Sequence, residues 1–196
     1  MKSLDKLFNI QIGRTPPRGD KQLWDTKKTT NNIWLSIKDL NNIDENGFIS
    51  DSFEYISKKA ESSVPLVPKN TLLLSFKLTL GRTAISKVPV RTNEAIAALL
   101  PKTNTYDINY LKYYFEYFDF IKFAKNDFKV KGLTLNKKKL AEIKIPIIPF
   151  QEQNEAVKQL NQISNSVKKL ISNYEEQLLL LSNLKKSYLI KEFSYE

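Results

Sequence analysis

Lys144-Ile145-Pro146-Ile147-Ile148-Pro149-Phe150-Gln151-Glu152-Gln153 is the stretch on which the reading of this chain turns. Its two prolines cannot donate a backbone N–H or continue a helix, so they hold the chain extended. From Phe150 to Phe193 there is no further Gly or Pro. A heptad with Leu160 at a places Leu160, Val167, Tyr174, Leu181 and Tyr188 at a, and Ile163, Leu170, Gln177 and Leu184 at d. Only Gln177 breaks that seam. Roughly 40 residues at ~1.5 Å each make a helix about 60 Å long, which needs a partner along its length. Exposure of the six aliphatic seam residues would leave on the order of 9–18 kcal/mol of burial unrealised. No comparable heptad run exists elsewhere in the chain, so the partner is expected to be another polypeptide rather than the helix's own domain.

The remaining residues read as a compact α+β domain over 1–143, followed by the proline-containing entry and long helix over 144–196. Leu4 to Ile12 reads as a short strand or a turn of helix. Ile33-Trp34-Leu35-Ser36-Ile37, Thr71 to Phe76 and Glu94 to Leu100 read as strands, that at 71–76 buried on both faces. Ser57 to Ser63 reads as a short surface helix, and Asn136 as the cap of a helix from Lys137 to Glu142. Ile108 to Ala124 reads as one aromatic helix with Leu111, Phe115 and Phe118 in the core and Tyr114 and Ile121 beside them. Gly81 marks a turn or bulge before Arg82.

The formal net charge is +10, from 31 Lys+Arg against 21 Asp+Glu, and the sequence pI is about 9.5. An acidic partner follows, and nucleic acid is the commonest. With no Cys and no His, disulfides, thiolate nucleophiles, His-based triads and Cys/His metal sites are excluded. No apolar run approaches membrane-spanning length, so the expected location is the cytoplasm, with no membrane contact. The glycines do not space a phosphate-binding loop. Pro16-Pro17 lacks the acidic or amide and aromatic flanks of an amino-methyltransferase motif. Glu142-Ile143-Lys144, with Asp127 upstream, is the one nuclease-like fragment, on the premise that Glu142 and Lys144 share a face of a strand. Ile143 and Ile145 equally fit an ordinary half-buried strand.

Several pieces form an ordered set along the chain: Gly13-Arg14-Thr15-Pro16-Pro17, Ser75 to Ile85 with Gly81-Arg82, Asn93-Glu94-Ala95-Ile96, Gly132-Leu133-Thr134-Leu135, and Leu140 to Gln153. In that order they resemble the specificity subunit of type I restriction–modification systems, over essentially the whole chain. The resemblance implies a target recognition domain that reads double-stranded DNA and a spacer helix that forms an antiparallel coiled coil. It implies no catalysis and no cofactor in this chain. Partner modification subunits would bind S-adenosylmethionine and methylate adenine, and a restriction subunit would hydrolyse ATP and cut DNA, with Mg held by those partners. The family's usual subunit has two recognition domains and two spacer helices, whereas this chain has one of each. It is similar to a half-subunit, expected to form a homodimer through the C-terminal helix. The alternatives are a metal-dependent nuclease on Glu142, Lys144 and Asp127, or a helical adaptor that binds protein alone.

Loops carry the candidate DNA contacts: Arg14, Thr15 and Arg18 in the Pro/Gly loop, and Lys27 and Lys28 in a polar loop. Lys77 and Arg82 flank a turn, Lys129 and Lys131 precede Gly132, and Lys137 opens a helix. Arginines bond guanine bidentately, and lysines mostly position phosphates. Arg82 ranks highest, beside Gly81.

Overall fold

Leu72, Leu73 and Leu74 lie in one strand and all three are buried. Successive strand residues point to opposite faces, so this strand is covered on both. Leu72 and Leu74 join a cluster with Leu4, Phe8, Leu111, Phe115 and Leu140. Leu73 joins a different cluster, with Ile33, Leu35 and Leu40. The computed structural model describes residues 1–103, 105–124, 128, 129, 132, 133 and 135–194, with 128, 129, 132 and 133 described by their backbone. The chain divides into two compact units, Met1–Gln153 and Asn154–Glu196.

In chain order the first unit holds β1 (Lys2–Ser3), α1 (Leu4–Leu7), β2 (Phe8–Ile12), β3 (Ile33–Leu35), β4 (Phe48–Ile49) and β5 (Glu54–Tyr55). Then come β6 (Leu66–Val67), β7 (Leu72–Ser75), β8 (Thr83–Ser86), β9 (Val90–Thr92) and β10 (Ile96–Pro101). They are followed by α2 (Ile108–Tyr117), α3 (Phe120–Phe123), β11 (Phe128–Lys129), β12 (Gly132–Leu133), α4 (Lys137–Ala141) and β13 (Lys144–Ile145). A five-stranded mixed sheet runs β2-β10-β7-β8-β4, antiparallel except where β4 lies parallel to β8. A four-stranded sheet, β5-β3-β9-β6, covers one face of it through Leu73, Ala84, Ile96 and Ala98. α1 to α4 cover the other through Leu4, Leu111, Phe115, Phe120 and Leu140. The expected α+β fold is the one found, with the apolar run at 71–76 covered on both sides.

The aromatic helix expected over 108–124 is two helices. Phe118 is extended at the end of α2, and the Asp119 carboxylate accepts the Lys122 N–H at 2.8 Å to cap α3. Restarting the helix turns Ile121 out to 66% exposure and brings Phe120 into the core instead. A short polar side chain that can satisfy orphan N–H groups outweighs the aromatic periodicity here.

After Pro149, α5 runs from Phe150 to Phe193, 44 residues, as the proline boundary predicts. Its seam residues Ile163, Val167, Leu170, Leu181 and Leu184 are exposed, and so are Ile171, Leu178, Leu179, Leu180 and Ile190 outside the seam. Residues 178–181 sit about 100° apart around the axis, so leucine faces every side of the helix there. The apolar surface is wider than the heptad alone.

Candidate nucleic-acid interface

Residues 154–196 carry six Lys/Arg and five Asp/Glu, so a net +9 of the chain's +10 belongs to residues 1–153. The loop after β2 is the first place this charge is organised. Gly13 opens it because a Cβ there would stand 2.0 Å from the Thr92 carbonyl oxygen and 2.2 Å from its hydroxyl. The Arg14 N–H then donates to the Thr92 carbonyl at 2.8 Å. Two indoles hold the loop's own carbonyls: Trp34 Nε1 donates to Arg14 at 2.9 Å and Trp24 Nε1 to Pro17 at 3.2 Å. The two rings meet edge to face, centroids 5.0 Å apart. Arg14 itself is exposed.

Arg18 lies over both rings, 4.1 Å from the Trp24 centroid and 4.8 Å from that of Trp34. Its guanidinium also pairs with both carboxylate oxygens of Glu54. The Thr15 hydroxyl donates to Glu94 at 2.5 Å. Burial pushes the Glu94 carboxyl up, but the Thr15 hydrogen bond and the Lys77 and Arg18 cations outweigh it and hold it below its ordinary value. Glu94 therefore stays ionised among Thr15, Lys77 and Arg18. Phe76 gathers the adjoining segments, its N–H donating to Ala95 and its carbonyl accepting the Leu135 N–H. That places the start of α4, with exposed Lys137, beside the Lys77 loop.

Lys28 sits on left-handed backbone, φ +51, in the turn that Asp25 organises. Its ammonium donates to the Ser52 carbonyl at 2.6 Å, lies 3.6 Å from Asp51 and sits over the Tyr55 ring. The Tyr55 phenol, partly buried and bonded to Asp51, is pushed up to about 12. Lys27 beside it is exposed. Arg82, across the 77–82 turn from Lys77, is hydrogen-bonded to the Asn41 side chain. Lys131 and Asp127 lie outside the described residues, and Lys129 is described by its backbone only.

Thr15, Arg18, Lys77 and Lys137 thus belong to adjoining segments around Glu94 and Phe76. Lys27 and Lys28 lie on the neighbouring turn, joined by the Asp25 N–H to Tyr55 carbonyl bond. Arg18, Lys28 and Arg82 are held by partners in their own chain. Sequence reasoning searched for cations and gave no role to Glu54, which pairs with Arg18, or to Glu94, which accepts from the Thr15 hydroxyl. It also missed Leu78, an exposed leucine at φ +64 between Lys77 and Arg82. Such a conformation costs a residue with a side chain of order 1–3 kcal/mol.

The nuclease-like face does not form. Glu142 ends α4 in helical conformation, φ −79 and ψ −12, and only Lys144–Ile145 is strand, paired with β1. The two side chains do not share a strand face, because the helix that Asn136 starts extends into Glu142. Among the described residues, no group of three or more acidic, His or Cys side chains could hold a metal ion. Among them too, no helix is long and apolar enough to cross a membrane.

A buried amide anchors the entry to α5. The fully buried Gln153 accepts the Asp107 N–H at 2.8 Å and donates to the Thr105 and Ile148 carbonyls at 2.9 and 3.0 Å. Tyr106 and Tyr114 hydroxyls take the carbonyls of Pro146 and Lys144. The extended entry segment, which has no sheet to satisfy its carbonyls beyond Ile145, finds donors in these side chains.

A family model described as Type I restriction modification DNA specificity domain matches residues 1–180. The chain is 29% identical over 192 residues to the type I restriction enzyme MjaIX specificity subunit of Methanocaldococcus jannaschii, covering 94% of this chain and 41% of that protein. Among solved structures, a chain from work on assembly and conformational transition of the type I R-M system is similar with a TM-score of 0.74 at 21% identity, over 96% of this chain and 44% of that one. The HsdS subunit from Thermoanaerobacter tengcongensis gives 0.69 at 21% identity, over 97% and 43%. At that identity the structural likeness concerns the fold. This chain spans less than half the length of each of these proteins.

Proposed function

The chain belongs to the type I restriction modification DNA specificity domain family, and we propose that it reads a DNA sequence on behalf of a type I restriction–modification complex. The observation that carries this is the family match, which runs through the basic domain and most of α5. The domain supplies cations on fixed loops for phosphate and base contacts. The helix supplies the protein contact. Methyl transfer and cleavage belong to modification and restriction subunits, which bring S-adenosylmethionine, ATP and Mg, and the assembly works in the cytoplasm.

One domain and one exposed helix make half of such a reader. Two copies are proposed to pair through antiparallel α5 helices about a twofold axis, each domain reading one half-site. The target is then an interrupted palindrome with half-sites about one helical turn, roughly 34 Å, apart. The test is to purify the chain with a methyltransferase subunit and map methylated sites on genomic DNA. Methylation at one interrupted palindrome is expected. Methylation that ignores the chain, or plasmid cleavage by the chain alone that Glu142→Ala abolishes, would overturn the proposal.

A further inference from the structure

The loop between β7 and β8 holds a leucine where leucines rarely sit. The Thr79 N–H donates to the Lys77 carbonyl at 2.8 Å, closing a three-residue turn around Leu78 at φ +64. A γ-turn with positive φ is rare and strained, and a bulky residue fits it poorly. Packing does not offset that strain, because Leu78 is 64% exposed. The base of the loop is tied down on every side. Ser75 N–H donates to Arg82 at 2.9 Å and Gly81 N–H to Ser75 at 3.0 Å. The Ser75 hydroxyl donates to the Thr79 carbonyl at 2.5 Å and accepts the Arg82 N–H at 2.9 Å. Strained residues held by an over-determined frame concentrate at ligand contacts.

What flanks Leu78 gives the ligand. Lys77 precedes it in the Glu94 field and Arg82 closes the loop, so an apolar tip stands between two cations. Cations anchor phosphates, but neither one detects a methyl group. In the major groove thymine differs from cytosine by its 5-methyl group, which an apolar side chain recognises. Among the described residues of the domain, the other exposed apolar side chains, Phe53 beneath the Lys38 ammonium and Leu66 in β6 among them, lack positive φ.

We propose that Leu78 is a specificity-determining residue that packs against the 5-methyl group of a thymine in the recognised half-site. This rests on the DNA-reading function proposed above. The test uses the full chain assembled with its methyltransferase subunits and a duplex carrying the mapped target. Each thymine is replaced in turn by deoxyuridine, which deletes only the methyl group. One replacement per half-site is expected to weaken wild-type binding about fourfold, the worth of one buried methyl. Leu78→Gly, which relaxes the turn, and Leu78→Asn, which tolerates left-handed backbone, should bind thymine and deoxyuridine alike at that position. Both should still prefer the target over scrambled DNA. A wild-type complex indifferent to every deoxyuridine would overturn the assignment even if neither variant folded. So would Leu78 variants that retain the wild-type penalty. Wild type that binds target and scrambled duplexes equally would instead overturn the DNA-reading function itself.

Discussion

Replacing Gln153 by Ala removes three hydrogen bonds from a side chain that is fully buried. At about 1 kcal/mol net for each, the loss is about 3 kcal/mol. For a chain of this size that corresponds to a fall in melting temperature of roughly 6–12 °C. Urea unfolding at fixed protein concentration, followed by circular dichroism, measures it. Gln162→Ala, on the exposed part of α5, is the control and should stay within about 0.5 kcal/mol of wild type. Gln153→Glu sharpens the test, because it keeps the shape but points a carboxylate at the Thr105 and Ile148 carbonyls. Burial raises the folded pKa of such a group above its unfolded value near 4.3. The variant's deficit relative to wild type is therefore smallest below about pH 4 and grows as pH rises toward neutral. A Gln153→Ala chain as stable as the control variant would refute the reasoning that this amide anchors the entry segment.

Gly13→Ala should destabilise the domain by about 1–3 kcal/mol, because the new Cβ collides with the backbone oxygen of buried Thr92; an unchanged melting temperature would contradict it. Asp25, Asp44 and Asp51 are held below the ordinary 3.8, chiefly by backbone N–H bonds from Thr30, Phe48 and Ser52. Their contribution is full above that value and lost as pH falls below it, so unfolding free energy measured between about pH 5 and 2 should drop steadily rather than stay flat. In the proposed antiparallel pair, Leu170 of one copy faces Leu181 of the other, Val167 faces Leu184, Ile163 faces Tyr188, and Gln177 meets the phenol of Tyr174. The chain has no native Cys, so mixing Leu170→Cys with Leu181→Cys under a short bifunctional crosslinker should give heterodimers; preferential joining of Leu170→Cys to Tyr174→Cys would exclude this register.

The parts legible in the sequence are those decided by near neighbours. Pro149 fixes where α5 begins, Asn136 caps α4 through the Lys139 N–H, and the unbroken leucines at 72–74 announce a strand buried on both faces. The start that Asp119 makes for α3 was masked by the aromatic periodicity around it, which read as one helix. Pairings across long separations left no local trace. Arg18 meets Glu54, Thr15 meets Glu94 and Arg82 meets Asn41 only once the sheets are assembled. Which cations are held by their own chain was therefore invisible from charge alone. Gln153 looked like one more polar residue at a helix start, since its three partners lie at 105, 107 and 148. Leu78 carried no signal, because nothing in Lys77-Leu78-Thr79 favours positive φ.

The pairing of β1 with β13 has a consequence in time. Lys2 finds its strand partner in Ile145, and β2 finds its own in β10. At roughly 5–20 residues per second, a ribosome needs about 7–30 s to travel from the first of these strands to the last. Throughout that interval Lys2 lacks its partner, although β2 gains β10 about 45 residues earlier. α1 also waits on this closure, since the Leu4 N–H is taken by the carbonyl of Ile143. This last closure of the domain therefore comes only as synthesis of the long helix begins, and the helix, built from local bonds alone, forms as the Lys2–Ile145 pairing first becomes possible.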